Sequence, residues 1–219
     1  MTDNEQPTPL TRFQLEVAAA FFQLPASQGF LLAGGAALAA QHLTTRPTQD
    51  LDFFTSPGRG DVPSARDDFT NAALARGWTV EIVRDEPTFC RLQVTGADEL
   101  LVDIALDSTP GRPPTASIAG PTFDPRELAG RKVIALFDRA AARDFVDVFL
   151  LRRSFDKSDL LRLAAEVDAG FDPVVFADMF GALARYSDRD LSLGGVDVPA
   201  LRHFFAEWAG EITNSGTAA

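Results

Sequence analysis

Two aspartates separated by one residue, Asp50 and Asp52, follow a pair of glycines, Gly34-Gly35. In an extended strand alternate residues share a face, so the two carboxylates point the same way and Leu51 and Phe53 point the other. Carboxylates held side by side repel unless a cation lies between them. Mg²⁺ suits such a pair, because it is commonly held by one or two carboxylates together with substrate phosphates. Glycine admits close approach of backbone to a ligand, and the N–H groups of a turn entering a helix can face phosphate oxygens. In isolation, Asp50-Leu-Asp52 is better explained by a wet edge strand carrying alternating Asp and apolar residues. The upstream Gly-Gly turn favours a nucleotide–metal site.

The elements needed to position these groups are legible nearby. Phe30–Leu32 is a short apolar run that stops at the glycines and reads as a buried strand. Ala36–Leu43 consists mainly of helix formers. Thr44–Gln49 is a polar loop, and Asp50–Phe54 reads as a second strand.

The pattern Gly34-Gly35, Ala36-Ala37-Leu38, then Arg46, Thr48, Asp50, Leu51, Asp52, Phe53 resembles the nucleotidyltransferases of the AbiEii/AbiGii toxin type. A second block of that family matches Lys132, Ala135, Leu136, Arg139, Arg143, Asp144 and Asp147. The resemblance covers residues 30–151. One departure is Gly35, where the broader polymerase-β-like superfamily usually has Ser; backbone N–H groups are left to touch phosphate there.

The resemblance implies an α/β (α+β) nucleotidyltransferase fold, a mixed sheet flanked by helices with a helical C-terminal part. It implies NTP as substrate and Mg²⁺ bound by Asp50, Asp52 and Asp103. Gly34, Gly35, Arg46, Thr48, Lys132 and Arg143 would bind the nucleotide. Asp50, Asp52, Asp103, Lys132 and Asp147 would be catalytic. It further implies a toxin–antitoxin or phage-defence toxin, with a cognate antitoxin protein and an RNA acceptor, the tRNA 3′ end foremost. Neither DNA nor a membrane is an expected partner.

Asp103 also stands out by itself, as one charge inside the apolar run Leu100–Leu106. A buried charge is costly unless it is paired or binds metal; an edge position facing water is the alternative. Lys132, Leu136, Arg139, Arg143 and Asp147 follow 4-3-4-4 spacing, one narrow stripe on a helix. That stripe is either a phosphate-binding face or a solvated face with an Arg143–Asp147 pair. Fifteen residues of straight helix span about 22 Å, too far for Lys132 and Asp147 to share a phosphate. Either the chain breaks between Arg139 and Asp144, where Ala140-Ala-Ala142 supplies no obvious breaker, or the two residues act at different places.

The 219 residues, 46% of them hydrophobic, suffice for one ample core or for one domain with a helical appendage. The expected division is a nucleotidyltransferase core over 1–125 and a helical part over 126–219 packed on it. The pattern predicts helices over Leu10–Leu24, Ser64–Arg76 and Arg126–Arg152. Strands are expected over Trp78–Val83, Thr88–Val94 and Leu100–Leu106. Ser108–Pro125 reads as an irregular excursion, and Asp156 onward as helices broken near Gly170–Pro173 and Leu193–Pro199, with a polar tail from Thr213.

The net charge of −11 argues against broad, salt-driven nucleic-acid binding. The expected compartment is cytoplasmic: no apolar run approaches about 18 residues, Met1–Pro9 lacks a leader-like layout, and the single Cys90 cannot form an internal disulfide. His42 and His203 have no companion at zinc-ligand spacing. Two rival functions remain: a small-molecule, antibiotic-type nucleotidyltransferase, and a nucleotide-binding module without turnover.

Overall fold

The computed structural model describes residues 9–216; the reading of the first eight residues and of the last three lies outside them. Seven strands and nine α-helices are present among the described residues, arranged in two compact units. One unit holds the chain through His42 together with Pro47–Asp124. The other holds Leu43–Arg46 and the chain from Pro125 onward.

The first unit is a mixed sheet in the order β3-β4-β5-β2-β1-β7-β6. Its strands are β1 (Leu31–Ala33), β2 (Asp50–Thr55), β3 (Thr79–Glu86), β4 (Phe89–Thr95), β5 (Glu99–Leu106), β6 (Thr115–Ser117) and β7 (Gly120–Thr122). β2 runs antiparallel to β1 and parallel to β5. Three helices belong to this unit: α1 (Arg12–Phe22), α2 (Gly34–Ala40) and α3 (Val62–Ala75). Thr11 and Gln14 close a capping box at the start of α1. Asp61 caps α3 by accepting from the Ser64 amide at 2.9 Å.

Strand alternation fixes which face is which. Leu51 and Phe53 of β2, Cys90, Leu92 and Val94 of β4, and Val102 and Ile104 of β5 are buried. Phe21 of α1 stacks on Phe53 at 3.9 Å and meets Phe69 of α3 edge-on at 5.8 Å. That covered face leaves the opposite face to Asp50, Asp52, Arg91 and Asp103. Burial raises the Cys90 thiol to about 11, with the Asp85 charge adding to the effect, so it is an inert core thiol.

The segment read as irregular, Ser108–Pro125, contains the β6–β7 hairpin, and Thr122 pairs in parallel with Leu32 of β1. These three-residue strands contain Gly120 and Pro121 and have no hydrophobic alternation, so nothing in their pattern announces them. Thr122 is nevertheless fully buried and accepts from Gln41 Nε2 at 2.7 Å.

The second unit is helical: α4 (Pro125–Arg139), α5 (Ala142–Leu151), α6 (Lys157–Val167), α7 (Pro173–Met179), α8 (Asp188–Leu191) and α9 (Val198–Gly216). Gly130 lets α4 lie against α6: a Cβ there would stand 2.4 Å from the Leu163 carbonyl oxygen. Phe176, Phe180, Phe205 and Trp208 form the aromatic centre. α9 runs through Thr213 to Gly216, past the expected start of a polar tail. The Thr213 hydroxyl donates to the Ala209 carbonyl, so this polar residue is accommodated inside the helix.

The expected single helix over Arg126–Arg152 is two helices. The break is at Ala140, which adopts φ 46°, the left-handed region, without being glycine. Its amide still donates to Leu136 at 3.0 Å, and its carbonyl accepts from the Tyr186 hydroxyl at 2.9 Å. The breaker is therefore tertiary: Tyr186, 46 positions away, satisfies the carbonyl that the helix leaves behind.

Candidate active site

In the sheet unit, Asp50 and Asp52 are half-buried residues of β2, alternating with the buried Leu51 and Phe53. β1 ends at Ala33, opposite Asp52, and the chain turns at Gly34 with φ 62°. A Cβ at Gly34 would stand 1.8 Å from Asp52 Oδ2. The carboxylate thus occupies the space that any side chain at position 34 would need. Gly34 is required both by its backbone conformation and by this contact. Gly35 is buried in the first turn of α2.

Asp103 is the direct neighbour of Asp52 across the parallel β2–β5 ladder, so both side chains share a face. It is buried, and both its oxygens accept from Arg91: Nε at 2.7 Å and Nη2 at 2.6 Å. Arg91 stands directly opposite Asp103 in the antiparallel β4–β5 ladder. The sequence reading missed Arg91. The signal was available: the Gly96–Glu99 turn between β4 and β5 sets a register that places Arg91 opposite Asp103.

Thr48 was expected to bind nucleotide. Its hydroxyl donates to Asp50 Oδ1 at 2.6 Å, which orients that carboxylate. The Thr48 carbonyl accepts from Gln14 Nε2 at 2.8 Å, tying the residue to α1.

In the helical unit the second block of residues assembles as a buried ion network. Because the chain turns at Ala140, Lys132 of α4 and Asp147 of α5 meet, with Nζ 3.1 Å from Oδ2. Lys132 Nζ also stands 3.3 Å from Asp144 Oδ1. Arg46, from the Leu43–Arg46 segment, donates through Nε and Nη2 to the two oxygens of Asp147, each at 2.9 Å. The Thr44 hydroxyl adds a further bond to Asp147 at 3.1 Å. Arg139 forks onto Asp144 at 2.7 and 2.9 Å. Asp144 and Asp147 are fully buried. The sequence reading had Arg139 and Asp144 in the second block but gave them no role, and it did not single out Thr44, which carries no signal of its own.

Burial alone would raise both carboxyl pKa values. It is outweighed at Asp144 by the Arg139 hydrogen bonds and the Lys132 charge, and at Asp147 by the Lys132 charge and the Arg46 bonds. Both stay below the ordinary carboxylate value. The 4-3-4-4 stripe is therefore not one solvated face. Lys132, Leu136 and Asp147 are buried and Arg143 is exposed. Asp147 is paired with Arg46 and Lys132.

A family model described as nucleotidyl transferase AbiEii toxin, type IV TA system, matches residues 17–195. The chain belongs to this AbiEii nucleotidyltransferase family. No curated protein matches the chain. Three solved structures share this fold at 18% identity. A nucleotidyltransferase from H. pylori superposes with TM-score 0.64, over 94% of this chain and 97% of its own. JHP933 from Helicobacter pylori gives 0.60 over 94% of each chain. MenT4, a nucleotidyltransferase toxin from Mycobacterium tuberculosis, gives 0.57 over 92% of this chain and 82% of its own. This AbiEii-family chain is thus a nucleotidyltransferase. None of its helices among the described residues is long and apolar enough to cross a membrane.

Nucleotidyltransferases of this kind generally use a divalent metal. Among the described residues, no three carboxylate, imidazole or thiolate side chains converge as a ready-made cage. The donor set still fits Mg²⁺: Asp50 and Asp52 are hard oxygen donors on one face, and Mg²⁺ takes one or two carboxylates, filling its shell with water and phosphate. Asp103, beside them, has its oxygens in the Arg91 fork.

Proposed function

We propose that this protein transfers a nucleoside monophosphate from an NTP to a hydroxyl of RNA, the tRNA 3′ end foremost, as the toxin of a toxin–antitoxin or phage-defence pair with a cognate antitoxin. The observation that carries the reading is Asp52 Oδ2 lying in the space opened by the absent Gly34 side chain. An oxygen donor for a cation and a turn with exposable backbone N–H groups are thereby held together.

Asp50 and Asp52 would hold Mg²⁺, which would neutralise the triphosphate and polarise the phosphorus under attack. Thr48 would fix the rotamer of Asp50. Gly34 and Gly35 would let backbone N–H groups approach the phosphates. The acceptor oxygen would form its bond to the α-phosphorus as the α–β bridging bond breaks, and pyrophosphate would leave with the electron pair. Asp103 would take the hydroxyl proton or hold a second cation, once Arg91 releases it. The family's two motifs, Arg46 in the first and Lys132 and Arg143 in the second, support these residues as binders of phosphate charge, with Asp147 orienting Lys132 and Arg46. Such chemistry depends on positioning and on fixed charge.

The net charge of −11 favours a second reading, transfer to a small hydroxyl compound. The acceptor is tested by incubating the protein with each α-³²P NTP, Mg²⁺ and deacylated tRNA, either intact or oxidised with periodate at its terminal ribose. Label on intact tRNA and none on oxidised tRNA is the expected result. Label on neither, with pyrophosphate released when small polyols or aminoglycosides are supplied, would replace the RNA reading with the second.

A further inference from the structure

Arg91, Asp103 and Asp52 form a row across the sheet. Arg91 is paired in register with Asp103, and Asp103 in register with Asp52, so all three side chains leave the same face. The guanidinium fork covers both Asp103 oxygens. The two partners are unequally held: the Asp103 side chain is 9% exposed, whereas that of Arg91 is 43% exposed. The carboxylate is fixed in the sheet, and the guanidinium reaches it from the solvent side. Arg91 also lies 5.7 Å from the centre of the Phe89 ring, within cation–π reach, so a second resting surface is at hand.

We propose that Arg91 is a built-in counter-cation that competes with the divalent ion for Asp103 and so sets the metal affinity of the site. The proposal rests on the reading of Asp50 and Asp52 as the metal-binding pair. The Arg91 fork offsets the repulsion between Asp103 and Asp52. Asp103 would become available to a divalent ion held at Asp50 and Asp52 only if the fork opened, and the guanidinium would then turn to Phe89. The register supports this: Arg91 stands opposite Asp103 and Asp103 beside Asp52, so the guanidinium lies on the face that carries the carboxylates. Arg91 is a positioning residue here: it acts through Asp103.

The test is Mn²⁺ binding, read from the loss of the free-ion EPR signal, for the wild type, Arg91→Gln, Asp103→Asn, the double variant and Asp52→Ala. Removing an internal competing charge is expected to tighten Mn²⁺ binding roughly tenfold in Arg91→Gln, the scale of one charge–charge interaction. With Asp103→Asn present, adding Arg91→Gln is expected to change nothing. Equal or weaker binding by Arg91→Gln, with Asp52→Ala still abolishing binding in the wild type, overturns the role of Arg91 and leaves the metal pair standing. Absence of Asp52-dependent binding from every variant overturns both. If Arg91→Gln does not fold, Arg91→Met, which keeps an apolar stem without the charge, replaces it, with Tm against Mn²⁺ as the readout. A steeper rise than in the wild type supports the proposal, and a parallel or shallower one contradicts it.

Discussion

Asp52 Oδ2 lies 1.8 Å from the point where a Cβ of residue 34 would be, so the second aspartate of β2 and the first glycine of the turn exclude any side chain between them. Gly34→Ala must therefore displace Asp52 as well as strain a backbone at φ 62°. The expected cost is about 2–4 kcal/mol of stability, together with loss of nucleotide transfer. Gly58→Ala is the control: its φ is 75° but nothing lies within 4 Å of its Cβ position. It should cost about 1–2 kcal/mol and leave transfer intact. Thermal unfolding and transfer rates of the two variants check this.

Thr48→Val removes the hydroxyl that donates to Asp50 Oδ1. The loss should be about 1 kcal/mol in stability and roughly tenfold in transfer rate, because Asp50 loses a bond that orients its carboxylate. Thr48→Ser should restore most of the rate. A valine variant with full activity would remove Thr48 from the site.

Asp147→Ala leaves Arg46 and Lys132 facing an empty position in a buried network. Loss of one partner from such a group costs about 3–5 kcal/mol. Lys132→Met should cost less, because Asp147 keeps Arg46 and Asp144 keeps Arg139. Urea unfolding midpoints rank the two variants. A Lys132→Met variant that folds well but transfers no nucleotide would show that the ammonium serves the reaction in addition to the network.

The same network gives the fold an acid limit. The Asp144 and Asp147 carboxyls are held below the ordinary carboxylate value, because their cationic partners outweigh burial. A carboxylate depressed on folding stabilises above its unfolded pKa, and that contribution is lost as pH falls through the folded value. Tm should therefore drop as pH is lowered below about 4. Asp144→Asn should show a shallower drop, and an equal slope in the two proteins would contradict the assignment.

What could be read from the residues alone was the part governed by local pattern. The Phe30–Phe54 stretch announces strand, turn, helix and strand through its own apolar spacing, and Asp103 announces itself as a charge in an apolar strand. The pairing of Arg91 with Asp103 depends on hairpin register, one step beyond local pattern. The break at Ala140 was illegible because its cause, Tyr186, lies in another element. Lys132 and Asp147 therefore looked too far apart, although that turn brings them to 3.1 Å. β6 and β7 escaped because sheet pairing, not sequence preference, makes them strands.

The central claim is that the face bearing Asp50 and Asp52 performs metal-dependent nucleotide transfer. The direct measurement is incorporation of label from each α-³²P NTP into total bacterial RNA by the wild type with Mg²⁺, the wild type with EDTA, and Asp52→Asn with Mg²⁺. Label on tRNA-sized RNA in the first reaction alone is the predicted result. Equal labelling by Asp52→Asn, or labelling that survives EDTA, would contradict it.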